Sequence, residues 1–137
     1  GYRIVYTPKT QVIHKGGGSS KQMVRSYIYF HSYKNRICTF IKNLSPRYLV
    51  EVLPKILITY VLLVFTYLAT GSPANAYAVI RAVVWNILNL KSTLRKRKNI
   101  QTKMRRVADE DFLPRITRSV RVSYYFYLFY NLELYKD

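Results

Sequence analysis

The chain has 137 residues, half of them hydrophobic, and a formal net charge of +17. That length suits one domain of ordinary size, and the apolar content excludes a disordered basic tail. The charge requires an anionic partner (nucleic acid, anionic lipid or a diphosphate substrate), and a single cysteine, Cys38, excludes an internal disulfide.

In chain order, Tyr2 to Tyr6 is rich in β-formers and Gln11 to Ile13 is a second short apolar run. Thr7-Pro8 separates them, because proline lacks the N–H that a strand ladder needs. His14 ends the second run, and Gly16 to Ser20 is a loop by composition. Lys21 to Asn43 reads as a helix carrying Tyr27, Tyr29, Phe30, Tyr33 and Phe40. Cys38 lies in this helix among apolar neighbours, which suits a packed thiol rather than a reactive one. Leu44-Ser45-Pro46 breaks the helix, with Ser45 as N-cap and Pro46 at the first position of the next.

Ile56 to Ala69 is a run of fourteen residues without charge. That is short of the ~20 a simple span needs. Leu49 to Lys55 extends it but admits Glu51 and Lys55, the latter able to snorkel. Thr70-Gly71-Ser72-Pro73 is a turn. Ala74 to Leu90 is apolar again, and its polar residues Asn75, Arg81, Asn86 and Asn89 fall in one sector of a helix. This suits either a membrane interface or the inner side of a hairpin.

Residues 49–90 therefore form an apolar hairpin with an uncharged turn. Arg47 and Lys55 flank one end, and Lys91, Arg95, Lys96, Arg97 and Lys98 the other. The positive-inside rule puts both outer ends on the cytoplasmic side. A hairpin buried in a soluble core is the alternative; the basic cluster directly after the apolar stretch favours an anionic leaflet. Lys91 to Val107 continues as a basic helix. Asp109-Glu110-Asp111 follows, reading as a helix cap with ion pairs to Arg105 or Arg106 rather than as an acid/base pair. Pro114 interrupts, and Arg115 to Tyr135 closes the chain with a tyrosine-rich stretch.

Gly1-Tyr2-x-Ile4-Val5-x-x-Pro8, then Val12-Ile13-His14, then Gly16-Gly17-Gly18-Ser19-Ser20, resembles the end of the catalytic domain of family 2 glycosyltransferases. The resemblance continues in Arg25 to Arg36, where Lys34 stands in place of the usual arginine before Asn35, and in Ile41-Lys42-Asn43. It extends through Arg95-Lys96-Arg97-Lys98-x-Ile100-Gln101 and Arg105-Arg106-Val107-x-Asp109-Glu110, as in rhamnosyltransferase-like members.

The resemblance implies a mainly α chain with a small N-terminal β element: residues 1–20 as the C-terminal end of a GT-A α/β domain, and 21–137 as a helical, basic, membrane-associated region. It implies sugar transfer from a nucleotide-diphosphate donor to an acceptor hydroxyl in glycan or polysaccharide synthesis, at the cytoplasmic face of the cell membrane. His14 would help hold a divalent Mg or Mn ion on the donor diphosphate. Gly16, Gly17, Gly18, Ser19, Ser20 and Lys21 would border the substrate, their backbone N–H groups forming an anion nest; as composition alone, they are a connector. A Glu-Asp pair and an aspartate motif are expected upstream of Gly1, so no catalytic residue is assigned in 1–137 and the isolated chain is expected to be inactive. A non-catalytic basic membrane anchor or scaffold is the second reading. Nucleic-acid binding comes third, since no RNA-binding signature accompanies the tyrosines and basic residues.

Overall fold

The computed structural model describes residues 23–117, together with Val5, Thr7, Pro8, Lys9, Gln11 and Ile13. Among these residues lie five α-helices: α1 (Arg25–Asn43), α2 (Pro46–Ala69), α3 (Pro73–Leu88), α4 (Leu90–Asn99) and α5 (Asp109–Ile116). A π-helical turn at Ile100–Met104 separates the last two.

Spacing of three and four residues sets the packing. Helix α1 buries Phe30, Tyr33, Ile37 and Ile41 along one face. Helix α3 answers with Ala76, Val79, Ala82 and Asn86 at the same spacing. Large side chains on one helix thus meet small ones on the other, which lets the two axes approach. Helix α2 adds Tyr60 and Tyr67, one heptad apart. Tyr67 stacks on Tyr29 at 5.8 Å between centroids and Tyr60 meets Tyr33 edge-on at 4.9 Å. The phenols are satisfied inside: Tyr33 and Tyr67 share a hydroxyl hydrogen bond of 3.1 Å, and the Tyr60 hydroxyl donates to the Tyr33 carbonyl at 3.3 Å.

The partners give the directions. Phe30 meets Arg81, Lys34 meets Asn86, Cys38 meets Thr93 and Ile41 meets Arg97, so α1 runs parallel to the α3–α4 rod. Tyr29 meets Tyr67 while Tyr33 meets Tyr60, so α2 runs the opposite way. The result is an up-down-up bundle.

Helix ends follow local chemistry. Pro46 and Pro73 open α2 and α3, where a missing N–H costs nothing. Helix α2 closes in a Schellman motif. Gly71 adopts φ 68°, its N–H donates to Leu68, and the Ser72 N–H donates to Tyr67. Pro54, inside α2, removes the hydrogen bond that would reach the Val50 carbonyl. It falls between Glu51 and Lys55, where the charged first turns of α2 give way to the apolar remainder. Asn89 separates α3 from α4, and its side-chain amide donates to the Trp85 carbonyl at 2.8 Å.

Three expectations need correction. Helix makes up 81% of the described residues and none is in a strand, so neither the N-terminal β element nor a fragment of a GT-A α/β domain is present there. Of the expected strand residues, Val5 and Ile13 are 83% and 100% exposed, and Pro8-Lys9 is a turn. β-forming side chains with no neighbouring strand or layer to cover them gain nothing from extended pairing. The expected helix from Lys91 to Val107 stops at Asn99 and widens into the π turn, closed by the Arg105 N–H on the Ile100 carbonyl at 2.9 Å. Ser45 is the residue before α2, but its hydroxyl makes no capping bond and is buried without a partner.

Burial pushes the Tyr33 phenol above its ordinary value of 10.0, with the Tyr67 hydrogen bond pulling the other way. The unfolded chain therefore loses this proton first as pH rises. The contribution is complete below pH 10 and disappears as pH climbs toward the folded value. Tyr33→Phe should flatten, without abolishing, the alkaline loss of helical circular dichroism; an unchanged alkaline profile would mean the phenol titrates as if exposed.

Candidate membrane-docking surface

The polar sector of α3 turns inward. Asn86 is buried, and its amide donates to the carbonyls of Lys34 at 3.1 Å and Ala82 at 2.9 Å. Asn75 and Asn89 are half-buried. Arg81 is exposed but folds back toward α1, its guanidinium 4.3 Å from the centre of the Phe30 ring. The outer side of α3 is left with Tyr77, Ile80, Val84, Ile87 and Leu88. Helix α2 shows the same pattern, with Leu57, Ile58, Val61, Leu62, Phe65 and Leu68 outside.

The hairpin helices leave much of their apolar surface outside. Their buried side chains are alanines, Val79, Asn86 and two hydrogen-bonded tyrosines, packed against Phe30, Tyr33, Ile37 and Ile41 of α1, while many of the large aliphatic side chains of α2 and α3 face out. Helices that associate in lipid use small and polar residues at their contacts. Among the described residues one helix, α2, is long and apolar enough to cross a membrane, and only 6% of its most apolar stretch is buried. A core helix of a soluble protein would bury most of that stretch.

The basic residues collect at the opposite end from the hairpin turn. Lys91, Arg95, Lys96, Arg97, Lys98, Lys103, Arg105 and Arg106 succeed one another with no acidic residue between them. Two of these cations are structural. Arg97 donates to the carbonyls of Ile41 and Leu44, the second at 2.7 Å, and so closes the C-terminal end of α1. Gln101 does the same for Lys42 at 3.1 Å and Asn43 at 2.9 Å. Arg105 pairs with Asp109, whose other oxygen accepts from the Ser45 N–H at 2.5 Å. The ion pair expected from Arg105 is therefore present, although the residue preceding α5 is Ala108 rather than an acid. Lys91, Ser92 and Arg95, with Leu88 and Asn89, line an open pocket of about 340 Å³ where the apolar face gives way to the basic one.

The histidine and cysteine side chains among the described residues have ordinary surroundings. His31 packs against Tyr27 and Phe30, with Nδ1 at 3.3 Å from the Lys34 amine. The same amine lies over the Phe30 and Trp85 rings at 5.2 and 4.9 Å. The Cys38 thiol is half-buried, 3.9 Å from the Thr93 hydroxyl. His14 and Gly16, Gly17, Gly18, Ser19, Ser20 and Lys21 lie outside the described residues. Among the described residues no three His, Cys, Asp or Glu side chains come together as metal ligands.

The carbonyl contacts of Arg97 and Gln101 were not legible in the sequence, since Arg97 is one cation in a run of four. Gln101, an uncharged polar residue amid basic ones, was the available signal. Comparisons with protein-family models, curated proteins and solved structures give no match.

Proposed function

We propose that the chain is the membrane-attached helical part of a glycosyltransferase, which moves a sugar from a nucleotide-diphosphate donor to an acceptor hydroxyl in glycan or polysaccharide synthesis. It works at the cytoplasmic face of the cell membrane, on a glycan or lipid-linked acceptor. The observation that carries the membrane part is the outer face of the hairpin: large apolar side chains exposed along both α2 and α3, alanines, Asn86 and hydrogen-bonded tyrosines among the buried ones, and cations at the base.

The enzyme class rests on the sequence resemblance. Its separate patches act on one another: Ile41-Lys42-Asn43 receives Arg97 and Gln101, and Asp109 joins Arg105 to Ser45. A pattern whose parts clasp each other is a coherent structural unit, which supports reading the patches together. In this enzyme His14 would hold the divalent Mg or Mn ion and the glycine loop would border the donor. The ion would stabilise the leaving diphosphate.

Two measurements test the proposal on the protein at its full encoded length. Flotation with vesicles containing anionic phospholipid should bring it to the lipid layer. Nucleotide-sugar donors, with Mg or Mn and a membrane fraction as acceptor, should yield nucleoside diphosphate. Flotation without any diphosphate release across the common donors would favour the non-catalytic anchor; a lipid-free monomer that never floats would remove both.

A further inference from the structure

We propose that the bundle docks in the plane of an anionic phospholipid leaflet, with the outer side of the α2–α3 hairpin immersed and α1 facing water, and does not span the bilayer. The inference rests on the membrane attachment above and specifies its geometry.

Helix α1 decides between the two poses. Apart from Tyr27, its exposed residues Arg25, Ser32, Asn35, Arg36, Thr39 and Asn43 form one polar stripe about 100° wide, opposite Phe30, Tyr33, Ile37 and Ile41. Helix α1 runs alongside the α3–α4 rod, from the Phe30–Arg81 contact to the Arg97 bonds on Ile41 and Leu44. A hairpin standing across the bilayer would put Ser32 and Asn35 in hydrocarbon, and because the 16 residues of α3 rise only about 24 Å against a core of about 30 Å, it would also draw in Arg25 or Arg36, which lie level with its two ends. Laid flat, the bundle keeps the stripe in water.

The hairpin side is uniform in the complementary way. Between Ile56 and Leu88 its one charged residue is Arg81, and Arg81 is drawn over Phe30 toward α1. In a three-helix bundle the α2–α3 side is the one opposite α1, so the apolar stripes of α2 and α3 share a single face. Along the rod that face passes into Lys91, Arg95 and Lys98, all exposed. Their stems can follow the apolar surface while the amines and guanidinium reach lipid phosphates. The Lys91–Ser92–Arg95 pocket then sits at phosphate level. An apolar face with cations at its edge is the pattern of helices that lie in the interface, and the anionic leaflet supplies the charge complement.

Depth measurement tests the pose. In a Cys38→Ser background, single cysteines at Leu62, Val84, Ser72 and Asn35 carry an environment-sensitive fluorophore. The vesicles hold phosphatidylcholine and phosphatidylglycerol brominated at shallow or deep acyl positions. The in-plane pose predicts strong shallow quenching at Leu62 and Val84, quenching at Ser72 within about twofold of theirs, and quenching at Asn35 at least fivefold weaker, with Asn35 open to aqueous iodide. Preferential deep quenching at Leu62 and Val84, or equal quenching at Asn35 and Leu62, would overturn it in favour of a span. Absence of quenching at all four positions, with helical circular dichroism intact, would instead remove the membrane attachment itself.

Discussion

Asp109→Asn should destabilise the fold by about 3–5 kcal/mol, the range for removing one partner of a buried ion pair. Asp109 is 1% exposed, and its two oxygens serve different elements. One pairs with Arg105 and the other accepts from the backbone N–H of Ser45, between α1 and α2. Asparagine keeps the shape but turns one oxygen into an NH₂. Whichever way the amide sits, a donor faces either the guanidinium or the Ser45 N–H, and a charge stays buried without its counterion. Against a typical total stability of about 5–15 kcal/mol the loss is large.

Urea titration of the wild-type chain and the variant in detergent micelles measures it. Glu110→Gln is the control: Glu110 is exposed in the same helical turn, and its replacement should change stability by less than about 0.5 kcal/mol. An Asp109→Asn variant equal to that control would mean the clasp is not a stabilising element. The double replacement Arg105→Met with Asp109→Leu should recover part of the loss, because it removes both charges together.

The helices were legible where the pattern is local. Phe30, Tyr33, Ile37 and Ile41 repeat at helical spacing, Pro46 marks a start, and Gly71 with Pro73 marks the hairpin turn. What escaped depends on distant partners. Nothing between Lys91 and Val107 breaks a helix by propensity; no glycine or proline occurs there. The break after Asn99 accompanies side chains that reach back to the carbonyls of residues 41–44, more than fifty positions earlier.

The asparagines of α3 illustrate the same limit. Their common sector was visible, and it fitted either a lipid interface or an internal face; Asn86 bonding to the Lys34 carbonyl decides for the internal face. The proposed docking surface was half legible. The apolar run and the cations stand in the sequence, but that Arg81 turns away from the hairpin face does not. The strand reading failed because β-propensity in Val5 and Ile13 carries no information about whether a covering layer exists.

Charging the hairpin face should weaken membrane binding at every salt concentration, whereas discharging its basic edge should weaken it only at low salt. Leu62 and Val84 are 53% and 45% exposed on adjacent helices, so aspartate at both fits the fold without disturbing the core. At the centre of a spanning helix each aspartate costs about 2.5–3.5 kcal/mol. At the shallower depth of an interface, about half that still means roughly tenfold weaker binding per residue, and about a hundredfold for the pair. Neutralising Lys91, Arg95 and Lys98 to alanine removes about 1 kcal/mol each at low salt. That is comparable in total, but it is a screened interaction whose range falls to about 3 Å at 1 M salt.

The two variants therefore separate on ionic strength. The Leu62→Asp, Val84→Asp chain should bind about a hundredfold more weakly than wild type at low and high salt alike. The triple alanine chain should bind about a hundredfold more weakly than wild type at low salt and nearly as well as wild type in about 1 M salt, where screening has removed the electrostatic part for both. Vesicle flotation across a salt series, with circular dichroism of each variant, is the measurement. Normal flotation of the double aspartate chain would exclude the α2–α3 face as the lipid contact. A triple alanine chain weakened equally at every salt concentration would mean that Lys91, Arg95 and Lys98 act through structure and not through charge.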